Sequence, residues 1–412
     1  MRSPLATRHS IPLLLAVLAA CSDSPAAPGD TTSVHHETVL PMTILGNGSL
    51  GTPPTAPYTA EVGVRGATAY TSTWGNGGGL VVTWDVSGDV PQRVGALTLA
   101  GSVTTTGDVN ISDDGQLLMV ATEPAGSIGV YSLADPRAPQ FLTRYTTPNI
   151  AGGVHTAKFG RVNGVLYAFL SIDPRLNAPA HIVILDMSNP AAPRELFVKP
   201  VGRPYVHDVF VRDGLLFLAL WEDGLAVWDI GGGGKGGTPQ APVELGRLPA
   251  SSATSLRCCT HNVWVYKDPT LGRARYAFVG EEGAATVGST SSGDIHVVDI
   301  SDFTHMKEVA TYMVPGAGTH NFSMDEAHGV LYAAYYNGGV RALDVRGDLS
   351  ACPAAERVGP GDTRCSLNKM KREVFNALTD RNVYVWGVQY ADGLVYASDM
   401  LNGLWKLKPP SP

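Results

Sequence analysis

The chain has 412 residues, 44% of them apolar and only 16% charged, which excludes a disordered polypeptide and a small disulfide-stapled scaffold. Forty-seven glycines and twenty-nine prolines exclude a mostly helical bundle, because both residues interrupt helices and mark turns. Thirty basic against 37 acidic residues give a net charge of −7 with no Lys/Arg cluster, so nucleic-acid binding is not expected.

The first element is a leader over residues 1–20. Arg2 and Arg8 precede the apolar run IPLLLAVLAA, which is too short to span a bilayer and has the length of a signal-peptide core. The tetrapeptide Leu18-Ala19-Ala20-Cys21 resembles the lipobox of bacterial lipoproteins. That resemblance implies that Cys21 becomes the first mature residue and is lipidated, palmitate included, holding the protein to a membrane. Residues 21–37 are rich in Pro, Ser and Ala and are expected to form a flexible tether, with His35 and His36 as solvated linker residues. The expected address is extracytoplasmic, on a bacterial outer membrane or cell surface.

Beyond the tether, one unit recurs in seven copies. In chain order they are GGLVVTWDVSGDVPQ (78–92), VNISDDGQLLMVATEPAGSIGVYSL (109–133), VHTAKFGRVNGVLYAFLSID…HIVILDMSNP (154–190) and YVHDVFVRDGLLFLALWEDGLAVWDI (205–230). THNVWVYKDPTLGRARYAFVGEEG…DIHVVDI (260–300), GTHNFSMDEAHGVLYAAYYNGGVRALDV (318–345) and NVYVWGVQYADGLVYASDMLNGLWKL (382–407) follow. The clearer copies show three strand-length apolar runs, the first two separated by a tight-turn pair such as Asn163-Gly164, Asp213-Gly214 or Asp392-Gly393. The third run ends at Asp85, Asp186, Asp229, Asp299 or Asp344, and a turn then leads to a fourth extended run. This predicts an all-β fold, a seven-bladed β-propeller of four-stranded antiparallel blades over 38–408, with 349–381 as an inserted loop. The last copy lacks a fourth strand, so TVLPMTIL (38–45) is expected to complete the seventh blade and close the ring.

Trp84-Asp85 and Trp228-Asp229 suggest WD repeats, but the equivalent pairs Leu185-Asp186, Val298-Asp299 and Leu343-Asp344 show that Trp is not part of the pattern. The phrases GLAVWDI, DIHVVDIS and HIVILDMSNPAAP resemble instead the LVIVD repeat of bacterial and archaeal surface proteins. The resemblance implies a cell-surface propeller and supplies no catalytic residues.

Four cysteines remain after Cys21. Export permits disulfides, and Cys352 with Cys365, flanking a polar Pro/Gly-containing loop, is the favoured pair. Cys258 and Cys259 are left as a vicinal disulfide, free thiols or metal ligands.

The sharpest chemical feature is a histidine at the same place in four consecutive units: His155, His207, His261 and His320, with Gly107, Trp386 and, by a looser alignment, Thr59 standing there elsewhere. Each opens the innermost strand of its blade, so the four should line one mouth of the central channel. Turns between second and third strands should bring Glu222, Asp223, Glu281, Glu282, Asp173 and Asp399, with Asn337, to the same rim, where Trp386 stands from its own first strand. Neutral imidazoles backed by carboxylates suit a transition metal. A staple of the kind seen in WD repeats, pairing His207 with Asp223 and His261 with Glu282, would use the same residues without a metal. Trp74, Trp221, Trp386 and Tyr335-Tyr336 could form a stacking rim or fill the blades, and GGGGKGG (231–237) lacks the spacing of a phosphate loop and is expected to be a flexible turn. The leading functional expectation is a non-catalytic surface module, a monomer, binding a protein, polysaccharide or small ligand across the histidine face. The alternative is an oxidoreductase with a histidine-ligated metal.

Overall fold

The computed structural model describes residues 34–410, apart from 52, 54, 76–77, 100–104, 173–180, 202–205, 252–254, 257 and 270–271. The leader, Cys21 and most of the tether lie outside the described residues, as does Asp173.

Among the described residues the strands form seven sheets. Blades one to four span Tyr58–Thr98, Thr105–Tyr145, Val154–Pro200 and Asp208–Leu248, each four antiparallel strands in chain order. Blade five runs from Thr260–Asp268 to Lys307–Tyr312, blade six from Phe322–Asp325 to Glu373–Ala377, and blade seven holds Val385–Ala391, Leu394–Asp399 and Gly403–Lys408. Thr43–Gly48 pairs antiparallel with Gly403–Lys408 and supplies the missing fourth strand, so the ring closes as expected. Just before it, Leu40–Pro41 lies parallel to Glu373–Ala377 on the outer edge of blade six. The segment 349–381, expected as an inserted loop, contains two strands. Cys365–Ser366 edges blade five, and Glu373–Ala377 is the fourth strand of blade six. Residues 34–37, expected within the flexible tether, rest on blade six: His36 Nε2 lies 3.1 Å from Asp344 Oδ2, and its amide donates to Lys371 O at 2.9 Å.

The apolar run of each third strand follows from burial on both faces. Ile182 and Ile184 pack toward blade four with Val209, Leu216 and Leu218, whereas Val183 and Leu185 pack toward blade two with Met119, Ile128 and Val130. Side chains alternate along a strand, so a strand sandwiched between neighbouring blades has no polar face to show. The core is therefore a set of apolar layers between blades, each fully buried Leu or Ile contributing about 1.5–3 kcal/mol.

The aspartate ending the third strand makes the next turn. Asp186 and Asp299 each accept from the amide two residues on, at 2.9 Å, and Asp85 accepts from both the amide and the hydroxyl of Ser87. Such side-chain caps stand in for a backbone turn, and Ser132 performs the same service in blade two. In blade four, Asp229 collects the amides of Gly231, Gly232, Gly233, Lys235 and Gly237. The glycine-rich stretch expected as a flexible turn is thus wrapped round the protein's own carboxylate. Burial opposes that charge, but the amides outweigh it and hold Asp229 down to about 2.

Candidate functional site at the channel mouth

A bulge in the innermost strand aims three of the residues at the mouth. The ladders of blades three, five and seven skip His155, His261 and Trp386 respectively, because the register shifts there. A bulge leaves one residue unpaired and turns its side chain out of the pleat, here into the channel. In blade one the bulge falls at Ala60 and Glu61, so Thr59 is an ordinary ladder residue opposite Thr73. In blade two it falls at Gly107 and Asp108. A Cβ on Gly107 would lie 2.3 Å from His155 O, which excludes any side chain there. His207 immediately precedes its strand and His320 stands two residues before Phe322, with amides bonded to Ala219 O and Ala334 O.

The four imidazoles form a continuous arc. Ring centroids are 4.3 Å apart from His155 to His207, 4.0 Å from His207 to His261 and 4.0 Å from His261 to His320. His155 Nδ1 lies 2.6 Å from Glu123 Oε1, and its Nε2 faces His207 Nε2 at 2.9 Å. His320 Nδ1 donates to Trp386 O at 2.7 Å. A carbonyl only accepts, so His320 carries its proton on Nδ1 and keeps a lone pair on Nε2, whereas His155 is hydrogen-bonded at both ring nitrogens, to Glu123 and to His207. Between them, neither ring nitrogen of the buried His261 has a hydrogen-bond partner among the described residues, and its Nε2 is 3.7 Å from Glu282 Oε2. Burial first, and the neighbouring rings second, hold His207 and His261 well below the usual imidazole range, and burial takes His320 down to about 3. These three rings are neutral at pH 7, the state in which imidazole is a ligand.

The rim residues divide. Glu282 joins the arc, and its other oxygen accepts the Tyr336 hydroxyl. Trp386 packs on His320 with centroids 4.4 Å apart. Glu281 turns the other way, to His296 at 3.4 Å, in a buried network with Glu308, Ser255 and Arg364 inside blade five. The staple between His207 and Asp223 is not formed. Asp223 lies 3.9 Å from Arg247, and the His207 ring stacks on Trp221 instead. Glu222 is exposed. Asp399 caps blade seven through Tyr384 N and Trp405 Nε1, and Asn337 bonds Ser291. Trp74, Tyr336 and Trp386 share one cluster beside the mouth, whereas Tyr335 is buried between blades five and six. Cys258 and Cys259 are bonded to each other, which removes them as thiolate ligands, and Cys352 is bonded to Cys365.

Sequence reasoning missed the layer below the histidines. Glu61, Asp108, Lys158, Asp208 and Asn321 line the same cavity of about 20 Å³. Lys158 Nζ pairs with Asp108 Oδ2 at 2.9 Å. Burial alone would discharge this lysine, but Asp108, Asp208 and Glu61 outweigh it and raise its pKa. Burial and the Asp108 charge push Glu61 up to about 7 and Asp208 up to about 6, against the pull of Lys158. The signal was present, because the residue after His155, His207, His261 and His320 is Thr, Asp, Asn and Asn, polar every time.

Seven radial sheets around a channel lined by their first strands define a seven-bladed β-propeller. Within that class the chain carries the LVIVD repeat, which is matched over residues 179–198 and 290–314. No curated protein matches the chain. Similar solved structures include Sqt1 of Saccharomyces cerevisiae, at TM-score 0.55 and 10% identity over 87% of this chain and 83% of that one. U3-55K aligns at TM-score 0.57 and 10% identity, covering 88% and 98%. The WD40 repeats of RRP9 align at 0.56 and 10%, covering 89% and 99%. At such identities the likeness extends to the fold alone.

Proposed function

We propose that this propeller is a membrane-anchored, extracytoplasmic binding module that engages its ligand at the histidine mouth through a transition metal held there. The fold and the LVIVD repeat support an interaction module. The leader pattern ending at Cys21 supports the anchor. The metal rests on one observation: four imidazoles stand in a row with ring centroids 4.0–4.3 Å apart, and among the described residues the buried His261 within that row has no hydrogen-bond partner on either ring nitrogen. The 2.9 Å between His155 and His207 Nε2 falls within the spread expected of adjacent nitrogens on one ion, about 2.9–3.4 Å for metal–nitrogen bonds of 2.0–2.1 Å. Donor atoms of His207, His261 and Glu282 all lie within 4.8 Å of one another.

Elemental analysis of tag-free protein tests this reading. A stoichiometric transition metal, lost in a folded His155→Ala/His320→Ala variant, is the expected result. Metal-free protein whose thermal stability ignores added zinc, copper and nickel would refute it. A second reading, a metal-dependent oxidoreductase, is favoured by the one-sided arc: Gly107 faces it from blade two without a side chain. Turnover that disappears with His207 would establish that reading over the first.

A further inference from the structure

On the face opposite the histidine mouth, blades four and five enclose a cavity of about 220 Å³. Of its lining, Asp213 and Gly272 belong to the turns between the first and second strands of the two blades, and Ile300 and Phe303 follow the third strand of blade five. These turns leave the strands at the ends far from His207 and His261. Phe217, Val265 and Ile300, 1%, 0% and 3% exposed, make the lining apolar, together with the half-buried Ala274 and Phe303.

Three cations, Arg212, Lys267 and Arg273, stand round this apolar well, and Asp213 is the one carboxylate that lines it. The whole chain carries −7, so the sign of the charge is reversed here. Lys267 Nζ lies 3.0 Å from Asp213 Oδ2, but the two side chains are 46% and 59% exposed, a pair that solvent screens. Arg212 is fixed in place: it donates to Val265 O at 2.6 Å and to Glu326 Oε1 at 2.7 Å, and its guanidinium lies 5.2 Å from the centroid of the Phe210 ring. Five N–H groups on a guanidinium leave it donors to spare. Arg273 has no ion pair and no hydrogen bond from its side chain among the described residues. A pocket that is mostly apolar, with a few placed cations, fits an anion with a hydrocarbon body. An inorganic anion would leave the apolar lining unused, and a neutral molecule would leave Arg273 without a counter-charge. The planar guanidinium matches a carboxylate in particular.

We propose that this cavity binds a short-chain aliphatic carboxylate. Its carboxylate group meets Arg273, and its hydrocarbon chain lies against Phe217 and Ile300. The site is separate from the histidine mouth and needs no metal there.

The experiment is calorimetric titration and thermal denaturation of the purified full chain, treated with chelator so that no metal at the mouth takes the carboxylate. Sodium hexanoate is the probe, propionate to pentanoate are its shorter homologues, 1-hexanol is the neutral counterpart, and phosphate is the inorganic control. Saturable one-to-one binding of hexanoate with a rise in Tm is the expected result. Each methylene from propionate to hexanoate should tighten binding about two- to fourfold, as the chain enters the well. Hexanol should bind at least about threefold more weakly than hexanoate. Arg273→Gln, an exposed position, should weaken hexanoate about two- to fivefold and leave hexanol unchanged. Ala274→Phe, which fills the well and keeps the cations, should abolish binding of both. Should that variant not fold, Arg273→Gln and the homologue series decide. No binding of hexanoate, affinity that ignores chain length, equal affinity for hexanol or phosphate, or unchanged hexanoate affinity in folded Arg273→Gln overturns the proposal.

Discussion

The carbonyl oxygen of Cys259 accepts the main-chain N–H of Glu282 over 2.9 Å. The vicinal disulfide therefore holds, through one hydrogen bond, the residue whose carboxylate faces His261 on one side and the Tyr336 hydroxyl on the other. Opening that eight-membered ring frees the backbone at Cys259, where φ is +63°, an unusual setting for a residue with a side chain.

A Cys258→Ser/Cys259→Ser variant is expected to hold the metal proposed at the mouth about 10–100-fold more weakly, the range for losing an outer partner of a metal ligand, with the fold intact. Competition against a chromophoric chelator measures it. Unchanged affinity would show that Glu282 keeps its place without the ring.

The buried His296 makes stability depend on alkaline pH. Burial disfavours its charge, but Glu281 and Glu308 outweigh burial and lift it to about 9. The folded state then holds a proton that the unfolded chain releases near 6.5, so this contribution is complete below about pH 6.5 and is lost as pH rises through about 9. The loss is about 3 kcal/mol by linkage. Urea unfolding at pH 6.5 and 9.0 should show it, and His296→Gln should be less stable at pH 6.5 but much flatter across the same interval.

The closing seam is tight at Gly48. A Cβ there would lie 2.5 Å from Pro91 O and 2.7 Å from the Trp84 ring. Gly48→Val should cost about 1–3 kcal/mol by overpacking, lowering Tm by several degrees in a thermal melt. Gly88→Val, where an added Cβ meets nothing within 4 Å, is the matched control and should change little.

Cys352 and Cys365, 13 residues apart, tie down a segment that edges blade five. Replacing both by serine should cost about 3 kcal/mol, read as a lower urea midpoint with a similar slope.

The repeat was legible because its marks are local chemistry. An aspartate capping its own turn, as at Asp186, and a strand apolar on both faces, as at Val183–Leu185, both leave a trace in consecutive residues. The histidine arc was legible for the same reason, since one position per unit suffices to find it. What stayed hidden depends on direction. Glu281 and Glu282 are neighbours in sequence, yet one joins His296 and the other His261, because successive residues leave a strand on opposite sides. Lys158 lies three residues beyond His155, and only the bulge decides that it faces the channel with Asp108 and Glu61. The strand at Glu373–Ala377 was read as loop because a cysteine-bearing insertion separates it from the rest of its blade.

The pairing of Thr43–Gly48 with Gly403–Lys408 also fixes an order of events during synthesis. The strand that seals the ring leaves the ribosome about 355 residues before the partner it must join, ahead of every blade of the ring. Until residue 408 has emerged, the early strand has no edge to join and blade seven has no outer member. Ring closure thus waits until residue 408 is free of the ribosome, and a chain halted before that point would present both open edges to solvent.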